Sequence, residues 1–162
     1  MLNENSDYER LLNYAFWLIS RRRYTCFEIN KKLRQFLKKH KLEGESLIEN
    51  VLNRLLELKY LDDQQYAQDY VSDRIKFRPR GKFLMKKELK SKGIAPEIIS
   101  AILNHIDVDE FGMVLELLKK KRFHVDSVSS PKEKAKVYRF LASKGFDKEI
   151  IYKAVESQYN RN

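Results

Sequence analysis

The side chains of this sequence that could do chemistry are clustered cations rather than catalytic groups. Three guanidinium groups follow one another at Arg21–Arg23, and the ammonium groups of Lys82, Lys86 and Lys90 recur every four residues. Residues four apart lie on one face of a helix, so these lysines form a basic row if their segment is helical. Such rows attract extended anions, and the net charge of +10 over 162 residues favours an acidic partner, most often nucleic acid.

Basic and acidic stretches alternate along the chain. Nine basic side chains and one acidic side chain fall in residues 20–41, and the same numbers fall in residues 74–92. Residues 119–144 hold nine bases and two acids. The intervening stretches are acidic, with eight acids in residues 43–73 and five in residues 93–118. A single lysine row is common on a solvated helix, but three basic blocks separated by acidic ones indicate that the basic side of the molecule is a binding surface.

Motifs for catalysis or cofactor binding are absent from the sequence. No glycine-rich phosphate loop occurs, and His40, His105 and His124 are too far apart in the chain to form a local metal motif. Cys26 is the only cysteine, so no intramolecular disulfide forms. Its position in a first helical turn close to Arg21–Arg23 is one that lowers a thiol pKa, but no catalytic base accompanies it. The sequence predicts a protein that is not an enzyme and that binds neither cofactor nor metal.

A near-repeat shows how the basic stretches are positioned. "SKGIAPEII" at residues 91–99 recurs as "SKGFDKEII" at residues 143–151, with Gly93 and Gly145 at equivalent places. A glycine in the left-handed conformation ends one helix, and the apolar pair that follows begins the buried face of the next. Two copies of one helix–helix joint predict a chain of tandem modules.

Capping signals and apolar spacing mark the helices of these modules. Predicted starts are the capping boxes at Ser6, Thr25 and Ser46, the N-caps Asp62 and Asp147, and the first-turn prolines Pro96 and Pro131. Together with apolar residues at helical spacing, they predict nine helices. These helices lie near residues 7–22, 26–39, 47–59, 63–77, 82–92, 96–106, 109–122, 131–143 and 148–158.

The nine helices fall into three triplets, so the sequence predicts an all-α protein. The predicted modules are residues 1–61, 62–107 and 108–162. A charged fraction of 35% and an apolar fraction of 43% suit an elongated body with several thin cores. No apolar run is long enough to cross a membrane and the N-terminus lacks a signal-peptide core, which predicts a cytoplasmic location. The default oligomeric state is a monomer.

Three segments carry a resemblance to a known family. "SRRRYTCFEINKKL" at residues 20–33, "YLDDQQYAQDYVSDR" at residues 60–74 and "GKFLMKKELKSKGI" at residues 81–94 resemble the signature segments of the RecX regulatory proteins, bacterial modulators of the recombinase RecA. Two departures occur. Lys59 stands where a glycine often precedes the Tyr-Leu-Asp-Asp run, and Lys82 follows Gly81 where proline is common.

The resemblance implies a fold of three tandem three-helix repeats that form an elongated, curved rod. It also implies a regulator that lies in the groove of the RecA–single-stranded-DNA filament and hinders filament growth, ATP hydrolysis, strand exchange and RecA co-protease activity. The expected partners are the RecA filament, single-stranded DNA and, weakly and without sequence preference, duplex DNA. Arg78 and Arg80, on either side of Pro79, are expected to reach deepest into the groove.

The residues expected to contact RecA or DNA are basic and lie in or next to the basic blocks. They are Arg21, Arg22, Arg23, Lys31, Arg34, Arg74, Arg78, Arg80, Lys82, Lys86, Lys87, Lys119, Lys120, Lys121 and Arg122. Aromatic residues near them suit base stacking, but packing within their own modules is the favoured interpretation for most of Tyr24, Phe27, Tyr66, Tyr70 and Phe77. Phe16 and Trp17 are predicted in the first core.

Two other functions remain open at this point. A three-helix module also serves as a helix-turn-helix DNA-binding unit, which reads bases from an exposed helix start. Glu49, Glu97 and Glu149 open the third helices of the modules and would meet phosphates unfavourably. The lysine-rich second helices suit contact with the nucleic-acid backbone more than base reading. A helical adaptor for an acidic protein is the other alternative.

Overall fold

Nine α-helices form the part of the chain that the structure, a computed structural model, describes: residues 4–121 and 131–159. They are α1 (Glu4–Ile19), α2 (Cys26–His40), α3 (Glu45–Glu57), α4 (Asp63–Lys76), α5 (Lys82–Ser91), α6 (Pro96–His105), α7 (Glu110–Lys120), α8 (Pro131–Ser143) and α9 (Lys148–Tyr159). The predicted all-α repeat fold is confirmed, and each helix end differs from its predicted position by at most three residues. None of the described helices is both long and apolar enough to span a bilayer.

Most of the predicted helix boundaries have the expected local chemistry. The amide of Glu28 donates to Oγ1 of Thr25 over 3.1 Å, and the amide of Thr25 donates to Oε2 of Glu28 over 3.2 Å, which completes a capping box. Asp62 caps α4 by accepting from the amide of Gln65 over 2.8 Å. Asp147 accepts from the amide of Glu149 over 2.8 Å at the start of α9. Pro96 and Pro131 are the first residues of their helices, as predicted.

Two of the predicted capping boxes are wrong. Ser6 lies inside α1 because the helix extends back to Glu4, and neither glycine nor proline precedes Ser6 to stop it. Ser46 lies inside α3, which begins at Glu45. The residue before α3 is Gly44, whose φ of 137° ends the preceding loop in a conformation that suits glycine, so the helix begins one residue before Ser46.

The chain packs into two compact units. Unit 1 is Met1–Gln68 with Lys90–Ile98, and unit 2 is Asp69–Leu89 with Ile99–Asn162. The core of unit 1 comes from α1, α2 and α3, where Leu11, Ile29 and Val51 are fully buried. A second core in unit 2 comes from α7, α8 and α9. The boundaries of the two units cut through α4, α5 and α6, and the division into three modules stays a prediction.

Unit 1 contains what we call the first junction, where the start of α2 meets the turn between α5 and α6. Thr25, fully buried, donates its hydroxyl to the carbonyl of Lys92 over 2.7 Å. The amide of Cys26 donates to Oδ1 of Asp63, the first residue of α4, over 2.9 Å. The ammonium of Lys92 pairs with Glu28 over 3.2 Å. The start of α2 is therefore bonded to the first residue of α4 and to the turn between α5 and α6.

Unit 2 contains the second junction, which repeats this pattern at the start of α5. Gly81 immediately precedes α5, and its amide donates to the carbonyl of Lys144 over 2.9 Å. The amide of Lys82, the first residue of α5, donates to the carboxylate of Glu110. Glu110 is the first residue of α7, as Asp63 is of α4, and Lys144 stands 52 residues after Lys92. The two junctions are therefore equivalent.

The near-repeat in the sequence has its physical reason in these junctions. The first amides of a helix have no acceptor in their own helix, and a carboxylate at that end also interacts favourably with the helix dipole. Gly93 and Gly145 adopt the predicted left-handed conformation, with φ of 77° and 81°. Both also lack room for a side chain, because a Cβ would lie 2.2 Å from Phe27 at Gly93 and 2.3 Å from Leu84 at Gly145.

The substitution Gly81→Ala tests the second junction. Gly81 does not have a positive φ, so an alanine there causes no backbone strain. The destabilisation comes from a steric clash, because the added Cβ would lie 2.1 Å from the carbonyl oxygen of Gly145. We expect the free energy of unfolding to fall by about 1–3 kcal/mol, the usual cost of overpacking, in a urea titration. The control is Ser100→Ala at an exposed position of α6, and a Gly81→Ala protein as stable as this control would contradict the described junction.

The first junction predicts a dependence of stability on acidic pH. Burial acts to raise the pKa of Glu28, but hydrogen bonds from Arg22, Thr25 and Lys92 outweigh it and lower this pKa. The ionised carboxylate therefore stabilises the fold above its unfolded pKa of about 4.3, and this stabilisation is lost as the pH falls through the folded-state pKa. We expect Glu28→Gln to lower the free energy of unfolding by about 1 kcal/mol at neutral pH.

The difference between the parent and Glu28→Gln should then narrow below about pH 4, when the parent carboxylate becomes protonated. Urea titrations at several pH values measure it. Glu49→Gln is the matched control, because Glu49 is exposed on α3 and lies outside both junctions. A difference that stays constant through the acid range would contradict the ionic role of Glu28.

Candidate nucleic-acid interface

The predicted contact residues of unit 1 lie on the loop between α1 and α2 and on α2 itself. Arg21 places its guanidinium 4.1 Å from the ring centroid of Trp17, and Arg22 lies 3.6 Å from that of Tyr24. Arg22 also pairs with Glu28 over 3.3 Å. The side chain of Arg23 is exposed. Stacking on rings leaves the charge of a guanidinium available while it restricts the side chain, so this segment presents pre-ordered cations.

On α2, the two predicted contact residues differ in their surroundings. Lys31 is exposed. Arg34 is also exposed, but its Nε donates to Oδ1 of Asn30 over 2.8 Å and its guanidinium pairs with Glu45 at the start of α3. The charge of Arg34 is thus partly compensated, and Lys31 contributes the less compensated charge of the two.

In unit 2, the predicted residues Arg74 and Arg80 converge on one carboxylate. Nε of Arg74 lies 3.5 Å from Glu88 and 2.9 Å from the hydroxyl of Tyr70, and Nε of Arg80 lies 4.0 Å from Glu88. Burial and the hydrogen bond to Glu88 raise the pKa of Tyr70 to about 12, so the phenol keeps its proton and donates it to Glu88. This network fixes α4 against α5 and holds Arg74 partly inside the unit.

The remaining predicted residues of unit 2 are mostly exposed. Arg78, Lys86, Lys87, Lys119, Lys120 and Lys121 are exposed, and Lys82 is half-buried. Lys119 pairs with Glu116 over 3.2 Å, within one turn of α7. Arg122 lies outside the described residues. Among the predicted residues of this unit, the exposed cations therefore lie in the loop between α4 and α5, on α5 and at the end of α7.

Lys144, which the sequence reasoning missed, belongs to the same region. Its ammonium lies 5.5 Å from the ring centroid of Phe140, and that of Lys121 lies 5.9 Å from the same centroid. Burial and then the charges of Arg80 and Lys121 lower the pKa of Lys144. Its equivalence with Lys92 in the near-repeat was the sequence signal that could have drawn attention to it.

The aromatic residues divide into buried and exposed groups. Tyr24 and Phe16 pack against the core of unit 1, in agreement with the favoured interpretation. Trp17 is 49% exposed, so its predicted place in the first core is wrong, because its ring covers the surface beneath Arg21. Phe77 is 75% exposed, which excludes packing in a core.

Phe27 is also exposed, but it covers the backbone of Gly93 in the first junction. Tyr66 and Tyr70 are half-buried. The ammonium of Lys92 lies 5.6 Å from the ring centroid of Tyr66. Phe83, which the sequence reasoning did not single out, is 73% exposed.

Cys26 does not have the lowered thiol pKa that its position predicts. Burial raises the pKa of this thiol to about 12, and the adjacent carboxylate of Asp63 adds to the effect. The expectation was wrong because it considered the positive charges of Arg21–Arg23 but not the carboxylate of Asp63, which lies beside the start of α2. At neutral pH the thiol is protonated and is a poor nucleophile.

Comparisons with known proteins agree on one family. The family model for the second three-helix domain of RecX matches residues 62–103, and the model for its third three-helix domain matches residues 108–155. The regulatory protein RecX of Chlorobium phaeobacteroides is 32% identical over 154 residues, which cover 94% of this chain and 95% of that protein. RecX of Mannheimia succiniciproducens is 33% identical over 135 residues, covering 83% of this chain and 84% of its own.

Solved structures of RecX proteins have the same fold. The crystal structure of RecX from Lactobacillus salivarius superimposes with a TM-score of 0.78 at 24% identity, covering 95% of this chain and 97% of that one. A second crystal structure of a regulatory protein RecX gives a TM-score of 0.70 at 25% identity, covering 95% of this chain and 71% of that one. With two family models matched over more than half of its length, the chain belongs to the RecX family of regulatory proteins.

Proposed function

We propose that this protein regulates the recombinase RecA by binding in the groove of the RecA–single-stranded-DNA filament and limiting filament growth, ATP hydrolysis and strand exchange. Membership of the RecX family supports a regulatory role. The observation that carries the proposal is the group of exposed cations around the loop between α4 and α5. Arg78, Lys86 and Lys87 are exposed there, and no carboxylate in the described part of the chain forms an ion pair with them.

Repetition of the modules supports a filament as the partner. A filament presents the same surface once per protomer, and a chain with equivalent junctions presents a basic segment beside each of them. Several weak contacts made by one chain raise its affinity without any single strong site. Such a regulator needs neither a catalytic residue nor a cofactor, and it would act as a cytoplasmic monomer.

The predicted contact residues should contribute unequally. Arg22, Arg34 and Arg74 already pair with carboxylates, so a partner must compete with those pairs. Arg78 and Lys87 are exposed and have no such pair, so they can contact an anion without breaking an existing ion pair. We therefore place the main contacts in unit 2. Arg23, Lys31 and the end of α7 contribute additional attraction.

A helix-turn-helix protein that reads duplex DNA is the alternative function. It requires a helix whose exposed start enters the major groove. Glu97 and Glu149 lie in the first turns of α6 and α9, as predicted. In α3 the first-turn acid is Glu45, and Glu49 follows one turn later because the helix begins earlier than predicted. All four side chains are exposed. Carboxylates in these places repel phosphates, so the surfaces favour a partner that meets the basic second helices instead.

The proposed function is tested by ATP hydrolysis of RecA on single-stranded DNA, with this protein added well below one copy per RecA. We expect a clear drop in the hydrolysis rate. Arg78→Glu/Arg80→Glu should raise the protein concentration needed for half-maximal inhibition about tenfold, because a charge reversal replaces attraction with repulsion at the contact. Arg78→Glu alone should act in the same direction, and it leaves the pair of Arg80 with Glu88 intact.

Arg54→Glu is the matched control, since Arg54 is exposed on α3 among acidic residues and lies outside the proposed contact. It should inhibit as the parent does. Unchanged ATP hydrolysis with the parent protein, even near equimolar amounts, would exclude RecA as the target.

A further inference from the structure

The loop between α4 and α5 carries two aromatic rings that nothing in the described chain covers. Residues 77–83 read "FRPRGKF", with a phenylalanine at each end and three cations between them. Phe77 is 75% exposed and Phe83 is 73% exposed, the two highest values among the large apolar side chains of the described residues. Exposed apolar surface next to charged groups is typical of contact sites.

The backbone of this loop is held at both ends. The amides of Phe77 and Arg78 donate to the carbonyl of Asp73 over 2.9 and 3.2 Å. At the other end, the amide of Gly81 donates to Lys144 and that of Lys82 to Glu110. The rings are thus presented from an ordered backbone, which reduces the conformational entropy that a partner must remove on binding.

A surplus of positive charge lies beside the same loop, and comparison of the two junctions explains its origin. In the first junction, Lys92 pairs with Glu28, the third residue of α2. The third residue of α5 is Leu84, so Lys144 lacks the corresponding carboxylate in the second junction. No described acidic side chain forms an ion pair with Lys144, which is flanked by Lys121 and Arg80 instead.

Arg80 adds to this surplus. Its Nε is buried without a hydrogen-bond partner and lies 4.0 Å from Glu88, a distance beyond hydrogen bonding. Glu88 also accepts a hydrogen bond from Tyr70 and pairs with Arg74, so Arg74 and Arg80 share its single negative charge. The guanidinium groups at this junction thus outnumber the carboxylate that they share.

We infer that residues 77–83 and the second junction together form a site for single-stranded nucleic acid. Phe77 and Phe83 stack on unpaired bases, and Arg80, Lys121 and Lys144 hold the neighbouring phosphates. The inference rests on the proposed function, since it names what the same basic surface takes. Every base has an aromatic face and every nucleotide has a phosphate, so rings and cations together suit a strand of any sequence.

Duplex DNA does not fit this site equally well. In a duplex, the faces of the bases are covered by their neighbours in the stack, so the phenylalanine rings have nothing to stack on. The phosphates remain available to the cations. The cations alone would then contribute the non-specific affinity that depends on salt. The site is therefore expected to prefer unpaired strands, and the preference should reside in the two phenylalanines.

The first test measures fluorescence anisotropy of a labelled oligo(dT) of about 15 nucleotides and of a duplex with the same number of phosphates, both without RecA. Phe77→Leu/Phe83→Leu should weaken oligo(dT) binding about tenfold or more, since stacking is lost while apolar bulk is kept. Duplex affinity should stay within about twofold of the parent value. The control is Phe111→Leu, which removes a less exposed ring of unit 2 and should leave both affinities unchanged.

The second test measures how oligo(dT) affinity depends on salt. Lys144→Gln should reduce the slope of log affinity against log salt by about 0.7, the value for one phosphate contact on a single strand. Lys153→Gln removes an exposed charge from α9 and should leave the slope unchanged. Circular dichroism melts confirm that the variants are folded.

The inference is overturned if the parent does not bind oligo(dT) at low salt, or if the phenylalanine variant binds it as the parent does. An equal loss on oligo(dT) and duplex also overturns it, because the rings would then not read unpaired bases. Failure of the proposed function is separate, since it is detected by RecA hydrolysis in an assay that these binding measurements do not include.

Discussion

The first amide groups of α2 and α5 have no acceptor in their own helices, and in each case the following module supplies one. Asp63 and Glu110 accept from the first helical residue, and the carbonyls of Lys92 and Lys144 accept from the residue before it. Polar groups buried without partners would destabilise the fold, so consecutive modules can pack only where these bonds form. The spacing of the near-repeat places Lys92 and Lys144 at these bonds, and a left-handed glycine follows each of them.

The junctions also decide which charges are available to a partner. At the first junction Glu28 pairs with both Arg22 and Lys92, so the cations nearest to the backbone contacts are compensated. At the second junction a leucine replaces the glutamate, and Lys144 remains beside other cations. The same pattern of contacts thus accompanies a lysine paired with a carboxylate in unit 1 and a lysine with cations as neighbours in unit 2. We attribute the proposed binding mainly to the second junction because a polyanion gains most where charge is uncompensated.

Local rules predicted the helices well, because helix ends depend on residues close together in sequence. Thr25, Asp62 and Gly93 act as their residue types predict. The same rules failed where the property of a residue depends on a contact with a residue that is distant in sequence. The thiol pKa of Cys26 depends on Asp63, 37 residues away, and the electrostatic surroundings of Lys144 depend on Arg80. The exposure of Phe77 was not predictable from spacing, since an apolar residue at the end of a helix fits either a core or a contact surface.

Electron cryomicroscopy of a RecA–single-stranded-DNA filament with this protein bound tests the central claim most directly. A map that resolves side chains would show which surface faces the filament. We expect residues 77–83 and the second junction to lie in the groove, with Arg78 and Lys144 within reach of phosphate or carboxylate oxygens. Binding through the exposed acids of α3, with the loop between α4 and α5 facing solvent, would contradict the proposed contact.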